Sequence, residues 1–268
     1  MLQVIKSAPV IAAGTGHELP DRFALKVTDQ WLARINEHWI ACDNTTADLL
    51  AMRGKGGFPA NVKGQMKTFA IMKRGLGDLL LASFLQAGNR ARYHCFLDTL
   101  EVIVEENGTP RLYCTRQHLK RDGVNHELQT SDEGIFCMSR HALSRLVQRG
   151  GIESVDDLRE AMRAAWPALA LVEAVTRSRR FVDKTLSWIV PVRLPKSEGF
   201  VALACTTADD NTQPLIIKTV LTDDMLDGYK FSRCEQFMDA VEPINPLDGF
   251  DSSLVQSLLS PLQTGGAR

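Results

Sequence analysis

Ser139-Arg140-His141-Ala142-Leu143-Ser144-Arg145-Leu146-Val147-Gln148-Arg149-Gly150-Gly151 is the stretch on which the reading of this chain turns. It predicts one short amphipathic helix. Ser139 is placed to cap the first free amides, and Gly150 to take the left-handed conformation that ends the helix. Ala142, Leu143, Leu146 and Val147 form an apolar face at helical spacing. His141, Arg145 and Arg149 recur every four residues and line up along the edge of that face. Such a stripe suits a phosphate site, and it equally suits a solvated helix surface.

Residues 134–138 before this helix read as a short strand. A second helix is expected from Ser154, where Asp157 completes a capping box, and carries Leu158, Ala161, Met162, Ala165 and Trp166 until Pro167 stops it. Four apolar, β-prone runs follow, at 169–175, 185–192, 200–205 and 215–221. Pro191 and Pro195 put the second near a sheet edge. Two helices followed by an antiparallel four-stranded meander define an α+β domain. Residues 231–241 read as a final helix, and 242–268, with Pro243, Pro246 and Pro261, as a loosely attached tail.

Upstream, residues 1–20 form an irregular lead. Val27, Trp31, Leu32 and Ile35 mark a helix that Trp39 and Ile40 continue. Thr45 and Asp48 suggest a further capping box, and the glycine-rich loop at 54–59 ends the helical pattern. That loop lacks the G-x-x-x-x-G-K-[ST] spacing of a phosphate cradle. Gly75 and Gly77 lack the third glycine of a dinucleotide fingerprint and read as a turn before a helix at 78–86. Residues 96–104 and 111–115, joined by Asn107-Gly108, read as a β-hairpin. The polar run 117–131 is the expected loop and domain boundary. The chain thus divides into an irregular lead (1–20), a mainly helical region with a hairpin (21–130), an α+β domain (131–241) and a tail (242–268).

The net charge of −1 gives no whole-molecule attraction to nucleic acid or anionic membrane. Its distribution is uneven. Between 53 and 92 stand eight bases (Arg53, Lys55, Lys63, Lys67, Lys73, Arg74, Arg90, Arg92) and one acid, Asp78; from 206 to 268 there are ten acids and four bases. The basic part points to an anionic partner, or to a docked acidic half. No run approaches the roughly 20 apolar residues of a membrane span. Six cysteines without small-domain spacing suit a reducing compartment, and a cytoplasmic location is expected.

The order helix, helix, antiparallel strands, with Ser139-Arg140-His141-Ala142-Leu143-Ser144-Arg145 on the first helix and Leu215-Ile216-Ile217-Lys218-Thr219-Val220 as the late strand, resembles the small ribonuclease toxins of the barnase, colicin D and RelE-like superfamily. The resemblance covers about residues 134–228. It implies a RelE-like fold and metal-independent cleavage of RNA, without cofactor, by a toxin- or effector-like protein. His141 would be the acid or base, a role that suits a group titrating near neutrality. Arg145 and Arg149 would hold the phosphate with their fixed forks. Lys218 or Thr219 would contribute from the strand, but the period of two places them on opposite faces, so only one can belong to the site.

Three further features bear on function. Cys114/His118 and Cys137/His141, with His94-Cys95, would bind zinc if Cys114 and Cys137 ended adjacent strands; the C-x-x-C spacing is absent, and no metal is expected. Arg177, Arg179, Arg180 and Lys184, with Phe181 among them, suit a single-stranded nucleic acid or a charged hairpin turn. The alternative to an RNA-directed function is a non-catalytic protein–protein interaction module on a toxin-like scaffold, its basic 53–92 region docking an acidic, antitoxin- or immunity-like partner.

Overall fold

A computed structural model describes residues 20–51, 59–90, 92–121, 129–177, 186–195, 199–207, 214–246 and 251–264, apart from the side chains of 43–51, 121 and 129–133. The fold is α+β. Among the described residues six helices, α1 (Asp21–Ala51), α2 (Val62–Leu76), α3 (Arg140–Arg149), α4 (Val155–Arg177), α5 (Gly228–Val241) and α6 (Ser252–Leu259), accompany one sheet, α6 packing on α4 and α5. Its strands are β1 (Leu80–Ala87), β2 (Tyr93–Val104), β3 (Pro110–Arg121), β4 (Gln129–Met138), β5 (Ser187–Arg193), β6 (Phe200–Thr206) and β7 (Leu215–Thr222).

The seven strands lie in the order β1-β2-β3-β4-β7-β6-β5. Neighbours are antiparallel, except that β4 and β7 run parallel. A parallel pair needs a long crossover, and here α3, α4, β5 and β6 supply it. The sheet curls around α4, which touches β1, β4 and β5 together although β1 and β5 are opposite edges. Trp166 of α4 donates to Asp98 of β2 at 2.9 Å, Arg163 reaches the Leu80 carbonyl at 3.1 Å, and Arg177 approaches the Gly134 carbonyl at 3.4 Å. On the alternate positions of β2, Tyr93, Cys95 and Leu97 are buried, and α1 and α2 pack against β2 and β1.

The opening stretch forms its helix within the expected limits. Ser139 Oγ accepts from the Ala142 amide at 3.1 Å, and Ala142, Leu143, Leu146 and Val147 are buried. Burial of each large apolar side chain is worth about 1.5–3 kcal/mol. The stop differs in kind. Gly150 has φ −94°, and the left-handed residue is Gly151, at φ +64°. Gly150 is needed for space: a Cβ there would stand 2.7 Å from the Leu146 carbonyl oxygen. Ser154 caps α4 through the Asp157 amide at 3.1 Å, while the Asp157 carboxylate accepts from the Glu153 amide.

Five expectations are corrected. Residues 169–175, expected as the first strand of a four-stranded meander, continue α4 through Pro167. The meander is therefore three antiparallel strands, β5, β6 and β7, with β4 added in parallel. Pro167 removes a helical hydrogen bond, at a cost of about 3 kcal/mol, yet Ala168, Leu169, Leu171, Val172 and Val175 beyond it are all buried. An apolar run of that length satisfies either period, and here the curled sheet offers it a helical slot. The expected helix at 78–86 is a one-turn 3-10 helix (Gly77–Leu79) followed by β1, which pairs with β2 from Leu80 to Ala87.

The polar run 117–131 is in large part strand, since β3 and β4 pair from Leu112/Met138 to Lys120/Gln129. One sheet therefore runs through both sides of residue 130. Finally, 242–268 is not a loose tail in its described part: Val255, Leu259 and Leu262 are buried, and Gln263 bridges to Trp188 on the β5 edge. At Thr45, where a second helix start was expected, α1 runs on unbroken to Ala51.

Candidate anion interface

The polar stripe of α3 is largely engaged by other parts of the fold. Arg140 holds Asp29 of α1 through two bonds, at 2.6 and 2.5 Å. Arg145 donates to Asp21 at 2.9 Å and to Gln148 at 2.7 Å, and Gln148 donates to Asp21 at 2.9 Å. The Gln148 hydrogen bond, and then the Arg145 charge, hold the Asp21 carboxyl below its ordinary range. Arg149 reaches across to the Val220 carbonyl of β7 at 2.6 Å. These bonds pin α3 between α1 and β7. The sequence carried a signal for this, two acids two helical turns apart on α1.

His141 is exposed on the same helix, and Lys218 is exposed on β7 while Thr219 is half-buried. Strict alternation fails between them. The β6–β7 register slips at Ala204/Cys205, so that Thr219 pairs with Ala204 and Ile217 with Cys205, with Lys218 as the extra residue. A bulge of this kind re-aims the side chains around it, and Ile217 and Val220, three residues apart, are both buried. The opposite-face assignment of Lys218 and Thr219 therefore loses its geometric basis. Arg177 bonds Glu173 at 2.7 Å, and Arg179, Arg180 and Lys184 lie outside the described residues.

The cysteine–histidine pairs do not converge. Cys114 is paired with Phe136 and Cys137 with Tyr113, which puts the two sulfurs on opposite faces of the sheet. Both thiols are raised above their ordinary range, first by burial. Among the described residues no three His, Cys, Asp or Glu side chains are grouped to hold a metal. An open depression of about 200 Å³ between α4, β5 and α5 is lined by Pro167, Pro191, Phe237 and Val241. Its cation, Arg193, is tied to Asp239 at 2.8 Å and Glu242 at 3.0 Å.

A denser group of cations lies on α2 and the β1–β2 turn. Helix α2 starts at Asn61, whose Oδ1 accepts from the Gly64 amide at 2.7 Å, and ends at Gly77 with φ +52°. It buries Gln65, Thr68, Phe69, Met72 and Leu76, and exposes Lys63, Met66, Lys67, Lys73 and Arg74. Gln65 is fully buried and acts as a clamp. Its amide nitrogen donates to the Pro59 and Gly88 carbonyls at 3.1 and 3.0 Å, and its oxygen accepts from the Gly88 amide at 3.0 Å. The turn between β1 and β2, with Arg90 and Arg92 exposed, is thereby held against the first turns of α2. Among the described residues none of these six cations has a carboxylate partner. The one acid of the region, Asp78, faces Arg163 at 3.5 Å and Arg159 at 3.9 Å.

Beyond that turn, the register of β1, β2 and β3 builds a patterned sheet surface. Gln86, His94 and Lys120 form one cross-strand row, Phe84, Phe96 and His118 the next, and Ala82, Asp98 and Arg116 the third. Arg116 grips Asp98 with two 2.8 Å bonds and lies 4.1 Å over the Phe96 ring. Phe84 stacks on Phe96 at 5.4 Å and meets His94 edge-on at 5.9 Å. His94 and His118 face each other through Nε2. Burial first, then the His118 and Lys120 charges, holds His94 below its ordinary range. Strand alternation carried this surface in the sequence, but its three rows exist only once β1 is a strand. Comparison with protein-family models, curated proteins and solved structures found no match.

Proposed function

We propose that the protein binds single-stranded RNA along α2 and the β1–β2 turn. The carrying observation is the set Lys63, Lys67, Lys73, Arg74, Arg90 and Arg92, exposed together and without carboxylate partners among the described residues. In a chain of net charge −1, such segregation concentrates a positive field on one side. Phosphates attract this pattern through counterion release, and the half-buried Phe84, on the other face of the edge strand β1, offers a ring on which a base can stack once the RNA passes round that edge. Duplex RNA would not reach that ring, because its bases are stacked and paired.

The test is fluorescence anisotropy with a labelled 16-nucleotide single-stranded RNA across salt. Six phosphate contacts give a slope of log K against log salt of about −4, at roughly −0.7 per contact. K63Q/K67Q/R74Q should reduce it in magnitude by about 2. Absence of RNA binding together with binding of polyglutamate would replace this reading by an acidic protein partner at the same face. Unchanged slope in the triple variant would refute the placement.

A ribonuclease reading of His141, Arg145, Arg149, Lys218 and Thr219, on a RelE-like module, is supported by the packing of α3 on β7, which sets these residues on adjoining elements. Incubation of the chain and of His141→Ala with total RNA in chelator tests it. Cleavage lost in the variant supports the reading, and equal inertness removes it.

A further inference from the structure

Two imidazoles on neighbouring strands of a sheet are a different object from the phosphate-binding surface beside them. We propose that His94 and His118 form a two-histidine site for a divalent first-row transition ion of the imidazole-seeking kind, zinc being the probe. The inference stands whether or not RNA binds. His94 on β2 is opposite Lys120, and His118 on β3 is opposite Phe96, so the two histidines are diagonal neighbours on one face. Their rings lie 4.5 Å apart at 57°, with both Nε2 atoms turned inward. One Nε2 from each ring, turned toward a common point, supplies two of the four ligands of a tetrahedral ion. Bonds of about 2.0–2.1 Å set the nitrogens about 3.3 Å apart, which a small rotation of two half-buried side chains supplies.

The backing of the pair is rigid. Phe84 meets the His94 ring edge-on and stacks on Phe96, and Phe96 lies under Arg116. Arg116 is itself locked to Asp98, whose second oxygen also accepts from Trp166. Sites on strands hold their geometry better than sites on loops. The same network decides the metal class. Asp98, two positions along β2 from Phe96 on this face, has its oxygens occupied, and no third protein ligand joins the pair among the described residues. Calcium and magnesium need oxygen ligands, whereas zinc, nickel and copper accept imidazole. Water would complete the shell. Lys120, whose charge already bears on His94, opposes a bound dication, so the affinity is set below that of a closed structural site.

The experiment uses the whole chain, stripped with chelator and titrated with zinc chloride by calorimetry, with magnesium chloride as the comparator. One saturable zinc site is expected, with no magnesium binding. His94→Gln and His118→Gln should each weaken it by about tenfold or more. His38→Gln and His141→Gln should leave it unchanged, and Lys120→Gln should tighten it severalfold. Should either pair variant fail to fold, imidazole NMR of the unaltered chain decides the matter: zinc must shift the His94 and His118 resonances together, ahead of the other four histidines. Zinc binding that survives both substitutions, or the absence of a saturable zinc site, overturns the proposal.

Discussion

Gln65→Leu tests how a single buried amide carries the basic face. Leucine matches the volume and the apolar surroundings of α2, but it removes three hydrogen bonds, to Pro59 and Gly88, at 3.0–3.1 Å. Each such bond contributes about 1 kcal/mol net, and the Pro59 and Gly88 backbone is half-exposed, so water recovers part of the loss. The expected cost is about 3 kcal/mol. With unfolding entropy of roughly 2.1 cal/mol/K per residue over 268 residues, that lowers Tm by about 5 °C. Freed from α2, the β1–β2 turn would no longer hold Arg90 and Arg92 beside Lys63 and Lys67. RNA affinity should therefore fall although no charge has been removed, and the salt slope should flatten by about 1.4, the share of two contacts. Thermal melts followed by circular dichroism, with anisotropy on the same preparations at a temperature where both are folded, read the two effects. A Tm within 1 °C of the parent, or a lowered Tm with an unchanged salt slope, would refute the reasoning.

Asp98→Ala removes a buried carboxylate that accepts two bonds from Arg116 and one from Trp166. It should cost about 3–5 kcal/mol in urea unfolding, against about 1.5–3 kcal/mol for Trp166→Phe, which loses one bond to a charged acceptor. Asp21→Asn concerns pH. The folded carboxyl of Asp21 titrates below its ordinary 3.8, so its contribution is present above that value and is lost as pH falls through the folded one. The asparagine variant should show a flatter stability curve below pH 4 and otherwise melt slightly earlier, because Arg145 loses its charged partner. Pro167→Ala restores the amide that can donate to the Arg163 carbonyl. It should raise stability by about 1–2 kcal/mol, the helical gain being reduced by the freer unfolded chain; an unchanged or lowered urea midpoint would show that α4 needs the proline.

Much of the local structure was legible. Ser139 and Ser154 carry their caps in side-chain chemistry, and the apolar positions of α3 and α5 repeat with a helical period that has no competing reading. The failures fall where two periods fit equally. Residues 169–175 are apolar at nearly every position, which a buried helix and a buried strand both accept, and 80–87 combines helix-forming Leu, Ala and Gln with the reach of an edge strand. Of the candidate site, the excess of bases between 53 and 92 was visible as composition. The clamp by Gln65 was not, because a lone glutamine in a helical stretch gives no sign of the turn it holds from 23 residues away.

The histidine pair shows the same division. His94 and His118 are each ordinary in their own stretch, and the sequence ties each of them instead to a cysteine nearby. By itself the sequence determined the α+β class, the caps, the periodic helices and the partition of charge, since these depend on neighbours within a few residues. Tertiary structure alone decided that 169–175 is helix, that 80–87 is strand, that Arg140 and Arg145 bond to acids of α1, and that two distant imidazoles meet. Each of those outcomes rests on a partner brought by the curl and register of the sheet, where the energy of pairing and burial exceeds the small local preference that the sequence displays.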